Sequence, residues 1–307
     1  MSGLVLGDWG TSRLRLILIE GGGAVLRRVD GPGIGGLLGQ GADAVGAALD
    51  AALAELDPGK EAQVVLCGMA GARSGLIEVP YAACPAGVAE WARGAARTER
   101  GGYAVSVAAG LRCANFVGAP DVMRGEETQI FGALTIAPEL ARGRHILALP
   151  GTHSKWVALV DGVIERFHTF FTGELFALLR DRSTLLRVHV GVGGGDGAGD
   201  AAGGLAAGIA RGQNGAGLAA SLFETRAAQL LDRCGPAWAE AFLSGLLIAD
   251  EVRAATALTV APSSVTLIGD PGLCERYTVA LTKAGIAVRT LDGDACALAG
   301  LQHLAVA

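Results

Sequence analysis

The sequence predicts an α/β protein of two domains, each a mixed sheet that starts in antiparallel hairpins and is flanked by helices. Three observations predict it. Residues 4–19 read as strand, tight turn, strand. Residues 146–172 repeat that pattern in the second half of the chain. Around both repeats, short apolar runs alternate with segments of helical period, the order from which mixed α/β layers are built. The domain boundary is expected near residue 120, giving halves 1–120 and 121–307.

The first stretch, LVLGDWGTSRLRLILI, opens on the apolar run Leu4, Val5, Leu6 of a buried strand. Gly7, Gly10, Thr11 and Ser12 mark a turn. From Arg13 the chain resumes with Leu14, Leu16 and Leu18 on one face at period two. A third strand follows over 24–30, after a turn at Gly21, Gly22 and Gly23, and residues 31–41 are a glycine-rich connection. Val45, Leu49, Leu53 and Leu56 form one apolar stripe, which predicts a helix over 42–56. Residues 63–67 are a short buried strand that ends in Gly68-Met69-Ala70-Gly71. Loops at the carboxyl ends of strands are where open α/β sheets place ligands. A helix is expected over 86–97, strands over 103–109 and 113–117, and a loop entering a helix over 121–137.

In the second repeat, ILALPGTHSKWVALVDGVIERFHTFFT, the turn Gly151-Thr152-His153-Ser154-Lys155 answers the turn at Gly10 to Arg13, and Asp161-Gly162 is a hairpin signal. A short amphipathic helix is expected over 173–179. Residues 191–204 are very rich in Gly and Asp and lack the GK[ST] ending of a P-loop, so they read as a flexible loop. Long helices are expected over 218–234 and 236–258, and a strand over 264–268. Gly269-Asp270-Pro271-Gly272 then opens a helix with Asp270 as N-cap and Pro271 as its first residue. A strand over 286–291 and a helix over 294–306 close the chain.

Composition narrows the function classes. With 307 residues, 51% of them hydrophobic, a sizeable core is available. A net charge of −5 without any basic block argues against nucleic acid as the main partner. The six cysteines are scattered with no CxxC pair, so neither a zinc site nor a disulfide framework is expected, and the reducing cytoplasm is the expected compartment. The N-terminus enters a strand directly, without a signal peptide. Mean hydropathy is +0.42, raised by Ala and Gly. The longest uncharged run, 254–269, is broken by Pro262 and two serines, so no transmembrane helix and no membrane partner are expected.

The two turns carry the candidate chemistry. Asp8, at the mouth of the first hairpin, is placed where a carboxylate can hold Mg²⁺ through water. The N–H groups of Gly10, Thr11 and Ser12 can point at phosphate oxygens. An ordinary polar turn accounts for these residues equally well on the first hairpin alone. The recurrence of the unit suggests a duplicated architecture.

Two such hairpins resemble the actin-like fold of sugar kinases, hexokinase and the Hsp70 chaperones: two ribonuclease H-like (actin-like ATPase) domains with a nucleotide cleft between them. The stretches DWGTSRLRL, GMAGARSGL, VMRGEETQIFGAL, LPGTHSKWV, FHTFFTGELFALL, SGLLIADEVRAA and LIGDPGLCERY resemble the 2-dehydro-3-deoxygalactonokinase family over residues 8–277. The resemblance implies MgATP-dependent phosphorylation of 2-dehydro-3-deoxy-D-galactonate at O6. It implies a small sugar acid as partner and leaves a homodimer as one compatible assembly.

Under that resemblance, phosphoryl transfer needs positioning and charge neutralisation above all. Asp8 would organise Mg²⁺. Gly10, Thr11, Ser12 and Arg13 would meet the nucleotide from one side, and Gly151, Thr152 and Lys155 from the other. Gly269, Asp270 and Gly272 would lie against the adenosine, although a plain capped helix explains them nearly as well. The first candidate for the base is Glu126, with Glu127, Asp121 and Asp8 as further candidates for the catalytic acid residue. First-turn acids complementing the helix dipole are the competing account for the two glutamates. Gly71, Arg73, Ser74, Arg124 and His153 would hold the sugar acid, a carboxylate calling for a guanidinium fork. A structural ion pair explains either arginine as well, and His153 and His168 serve structural roles equally. The alternatives are a kinase for another hexose or amino sugar, a non-catalytic sugar-sensing actin-like protein, and a chaperone-like ATPase.

Overall fold

The computed structural model describes residues 3–20, 24–41, 43–187, 200–214, 217–231, 234–259 and 262–306. By contacts the chain forms two compact units. The first comprises Met1–Arg144, Ala158–Phe167 and Leu291–Ala307, and the second His145–Val157 and His168–Thr290. These units are drawn differently from the halves 1–120 and 121–307, because the helix after residue 125 and the last helix both belong with the first sheet.

β1 (Leu4–Trp9) and β2 (Arg13–Ile19) form the expected antiparallel hairpin, and β3 (Val25–Pro32) extends it. Leu14 and Leu16 are fully buried and Leu18 nearly so, as period two requires. The turn expected at Gly21–Gly23 lies outside the described residues. A one-turn helix, α1 (Ile34–Leu37), interrupts the glycine-rich connection. α2 (Ala44–Leu56) buries Leu49, Leu53 and Leu56 of its predicted stripe. β4 (Gln63–Gly68) runs parallel to β1 in a register that puts Asp8 opposite Cys67 and Trp9 opposite Gly68.

Next come β5 (Ala82–Ala83), α3 (Val88–Arg93), β6 (Ala96–Arg100), β7 (Tyr103–Val107), β8 (Leu111–Ala114) and β9 (Pro120–Met123). The helix expected over 86–97 is therefore shorter than expected, spanning only Val88–Arg93. It stops at Gly94, and residues 96–100 become the edge strand of the sheet β3-β2-β1-β4-β7-β6. Arg97 and Glu99 point outward there, charges that suit an unpaired edge. β5, β8 and β9 form a separate small sheet, so the loop expected before the next helix is partly strand.

α4 (Glu126–Ile136) follows Gly125. The second repeat is β10 (Arg144–Leu149), β11 (Ser154–Val160) and β12 (Val163–Phe170), with Asp161 and Gly162 at positive φ between β11 and β12, as the hairpin signal predicts. α5 (Thr172–Arg182) comes next. Residues 191–199 of the expected flexible loop lie outside the described residues, but its end is helical: α6 (Ala201–Asn214) begins inside it. The helix expected over 218–234 is two pieces, α7 (Leu218–Ser221) and α8 (Glu224–Leu231), and α9 (Pro236–Leu258) matches its predicted bounds. β13 (Ser264–Gly269), α10 (Pro271–Lys283), β14 (Ala287–Asp292) and α11 (Gly293–Ala305) complete the chain, the five-stranded sheet having the order β12-β11-β10-β13-β14. Among the described residues no helix is long and apolar enough to cross a membrane.

Two helix crossings are unusually close. In the first unit, a methyl on Gly132 of α4 would overlap the Cys296 carbonyl of α11, and one on Gly300 would overlap the Thr128 carbonyl. In the second, Gly204, Gly208 and Gly212 of α6 face α9 in the same way, against the carbonyls of Trp238, Phe242 and Leu246.

Candidate active site

In the first unit the site is built at the carboxyl ends of β1 and β4. The tip of the first hairpin closes on itself through the Gly10 N–H to the Arg13 carbonyl, 2.9 Å. The Gly10 amide is thus spent inside the turn. The carbonyls of Gly10 and Thr11 accept from the N–H groups of Ile34 and Gly35, and Thr11, Ser12 and Arg13 are exposed at the tip. Asp8 is partly exposed. Its Oδ2 accepts from Arg15 Nη2 at 2.5 Å, and Arg15 also bonds Asp294 at the start of α11. Sequence reasoning did not single out Arg15. The only available signal was its place two residues past Arg13, on the Asp8 side of the hairpin register.

Gly68, the last residue of β4, has positive φ, and a methyl on it would run into the Trp9 carbonyl. Gly125, also at positive φ, sits with its Cα side against Gly68. The close pair brings the start of α4 onto the ends of β1 and β4. Glu127 is fully buried there, and both its carboxyl oxygens accept from the Gly125 N–H, at 2.9 and 2.7 Å. Burial first, then repulsion from Glu126, pushes its carboxyl up to about 8. Glu126 is half-buried, with Oε2 accepting from the Arg124 N–H at 3.1 Å. Cys67 lies under the pair, its Sγ 3.8 Å from Asp8 Oδ1. Burial, then the charges of Asp8 and Glu127, pushes its thiol well up, so it stays neutral. Asp121 lies on β9 opposite Cys113 of β8, its carboxylate accepting from the Val122 N–H at 2.8 Å.

The two arginines separate clearly. Arg73 is 89% exposed and pairs with Glu78 at 3.5 Å, and Ser74 beside it is exposed too. Arg124 instead reaches inward: its guanidinium stacks over the Tyr81 ring at 4.3 Å and donates from Nη2 to the Val79 carbonyl at 2.7 Å. Its Nε and Nη1 are buried and bond to no protein acceptor. A methyl on Gly71 would meet Nη1, so Gly71 leaves the room the guanidinium occupies. Tyr81 had no signature in the sequence, because its role exists only through this stacking.

In the second unit, the turn after β10 carries Gly151, Thr152 and His153. The start of α5 is pressed onto it: a methyl on Gly173 would overlap the Gly151 carbonyl, and the Glu174 N–H bonds the Thr152 carbonyl at 2.9 Å. His153 is held by Glu174, Nε2 to Oε2 2.5 Å, and stacks on Phe171. Lys155 is not at the tip but buried on β11. His168 lies on β12 beside Phe170. Gly269 ends β13 next to Pro150, so the Gly269 turn and the second turn are neighbours at the carboxyl ends of parallel β10 and β13. Asp270 caps α10 as predicted, accepting from the Leu273 N–H at 3.0 Å, and Gly272 follows in its first turn. Among the described residues no group of three or more His, Cys, Asp or Glu is placed to hold a metal.

The model of one family, described as 2-keto-3-deoxy-galactonokinase, matches residues 8–304. A protein of Rhizobium meliloti (strain 1021), named as a probable 2-dehydro-3-deoxygalactonokinase, is 39% identical over 300 residues, spanning 97% of this chain and 95% of its own. The 2-dehydro-3-deoxygalactonokinase of Escherichia coli (strain K12) is 32% identical over 299 residues, 97% and 96% of the two chains. A crystal structure from Sinorhizobium meliloti, provisionally assigned to the same activity, superposes with a TM-score of 0.84 at 38% identity, covering 98% of each chain. Component A of an Acidaminococcus fermentans (R)-2-hydroxyglutaryl-CoA dehydratase shares the fold alone, with TM-score 0.52 at 11% identity over 99% of this chain and all of its own.

Proposed function

The chain belongs to the 2-keto-3-deoxy-galactonokinase family, and on that premise we propose that it transfers the γ-phosphoryl group of ATP to O6 of 2-dehydro-3-deoxy-D-galactonate. The product is 2-dehydro-3-deoxy-6-phospho-D-galactonate, an intermediate of galactonate and galactose breakdown. Within this reading, residues 1–120 carry the first phosphate turn and the sugar loop, and residues 121–307 carry the base, the second phosphate turn and the adenosine turn.

The observation that carries the substrate class is Arg124. Two buried guanidinium donors without a protein acceptor cost about 1–3 kcal/mol each, more for a charged group, until an acceptor arrives. A substrate carboxylate admitted beside Tyr81 is such an acceptor, and the guanidinium plane is held on that ring. Arg73, exposed and paired with Glu78, is the weaker choice.

Glu126 is our choice of general base. It opens α4 beside Arg124, is reachable from solvent, and can take the proton of the attacking hydroxyl. Glu127 is fully buried and holds its own proton at neutral pH, which makes it a support for Gly125 rather than a base. Asp8 suits Mg²⁺ held through water, since Arg15 already takes one of its oxygens and Mg²⁺ needs only one or two carboxylates beside phosphates. Bound there, Mg²⁺ supplies charge neutralisation on the phosphates. The exposed amides of Thr11 and Ser12 would donate to phosphate oxygens beside it.

A coupled assay of ADP release across 2-keto-3-deoxy sugar acids and neutral hexoses tests the reading. Turnover of 2-dehydro-3-deoxygalactonate with little turnover of galactose is expected, and comparable kcat/KM for galactose would refute the sugar-acid assignment. In the same assay Arg124→Ala should raise the sugar-acid KM with little change in ATP KM. Glu126→Gln should lower kcat by roughly 10²–10⁴, the range for a lost general base. Near-normal kcat in that variant would remove Glu126 from the mechanism.

A further inference from the structure

We propose that Glu251, on α9, is a positioning residue for the nucleotide: its buried carboxylate ties together the second turn, the start of α5 and helix α10. The inference rests on the kinase reading, which makes the second turn and the Gly269 turn the segments that hold ATP.

Glu251 is 3% exposed and has no place in the reacting groups described above. Its Oε1 accepts from the Trp156 indole N–H at 2.8 Å, and its Oε2 from the Tyr277 hydroxyl at 2.8 Å. The hydroxyls of Thr172 and Ser154 also reach this carboxylate, and Ser154 Oγ lies 3.0 Å from the Tyr277 oxygen. Each donor comes from a segment next to the candidate nucleotide site. Ser154 is in the second turn and Trp156 is two residues on, both on β11. Thr172 opens α5, directly before Gly173, whose Cα is pressed against the Gly151 carbonyl. Tyr277 is on α10, the helix that the Gly269-Asp270 turn starts.

Stability alone does not account for this arrangement. A buried carboxylate is a poor stabiliser compared with a well-packed apolar side chain of the same size. What a fully satisfied buried network supplies is one fixed geometry. Here the fixed elements are those whose backbone amides must meet phosphate and adenosine within a few tenths of an ångström. A carboxylate can accept from four donors at once, which no apolar side chain can copy.

The test compares wild type, Glu251→Gln and Tyr277→Phe as full-length proteins. The readouts are KM for ATP, KM for the sugar acid, affinity for a non-hydrolysable ATP analogue by calorimetry, and thermal stability. Glu251→Gln should weaken ATP and analogue binding by about tenfold, the scale of one lost buried hydrogen bond, while the sugar-acid KM stays within about twofold. Tyr277→Phe, which removes a single donor, should move the same parameters less. A lowered melting temperature with unchanged ATP parameters overturns the inference, as does an equal rise in both KM values. Should Glu251→Gln not fold, Tyr277→Phe and Thr172→Val carry the same readout and the same two outcomes. Wild-type protein that binds no ATP analogue would instead overturn the kinase reading itself, and this inference with it.

Discussion

Adjacent Glu126 and Glu127 at the start of α4 differ in burial, Glu127 being fully buried and Glu126 half-buried. The folded state raises the Glu127 carboxyl from its ordinary 4.5 to about 8, through burial first. The folded protein therefore binds this proton more tightly than the unfolded chain does. The stabilisation from that proton is complete below about pH 4.5 and is lost as the pH rises through about 8. Urea unfolding between pH 5 and 8 should accordingly show stability falling with pH, and Glu127→Gln should flatten that slope; parallel slopes in the two proteins would contradict the assignment. Sequence reasoning could name both glutamates but not tell them apart, since helix-start acids look alike until neighbours are known. The same holds for Arg73 and Arg124, which only the Glu78 pair and the Tyr81 ring distinguish.

α6 shows where element-level reading works and where it fails. The hairpins and the α2 stripe were legible because period two and period 3.6 are set by the backbone itself. The start of α6, residues 201–204, falls in the Gly- and Asp-rich stretch expected to be a flexible loop, and glycine lowers helix propensity by about 1 kcal/mol relative to alanine. Its glycines at 204, 208 and 212 recur every four residues, however, and each lies against the α9 backbone. Tertiary contact outweighs propensity there. Gly208→Ala therefore tests which effect wins: propensity alone predicts a gain, whereas overlap with the Phe242 carbonyl predicts a loss of roughly 1–3 kcal/mol, the usual cost of overpacking. We expect the loss, read as a lower urea midpoint at unchanged m-value; a raised midpoint would show that α6 and α9 can part without cost. The shortened α3 failed differently, because an edge strand of alternating charge and small residues carries no strong period of its own.

At the scale of the whole molecule, the duplicated strand–turn–strand unit made the two larger sheets legible, since both repeats survive as β1–β3 and β10–β12. The path of the chain through the compact units was not legible, because it depends on which helices pack together. α11, remote in sequence, completes the first unit by crossing α4 at Gly132 and Gly300 and by bonding Arg15 through Asp294. A fragment of residues 1–120 lacks α4 and α11 and should give a poorly dispersed amide NMR spectrum; a dispersed, native-like spectrum would show that the first sheet folds without them. The position of α11 also bears on how the protein is made. N-terminal domains usually fold first while the ribosome is still elongating the chain. Here the Asp8–Arg15 pair can form within the first hairpin, but the Arg15–Asp294 bond and the α4–α11 crossing must wait, because the closing helix is translated last. The second unit, continuous from His168 to Thr290 apart from one short earlier segment, can mature earlier.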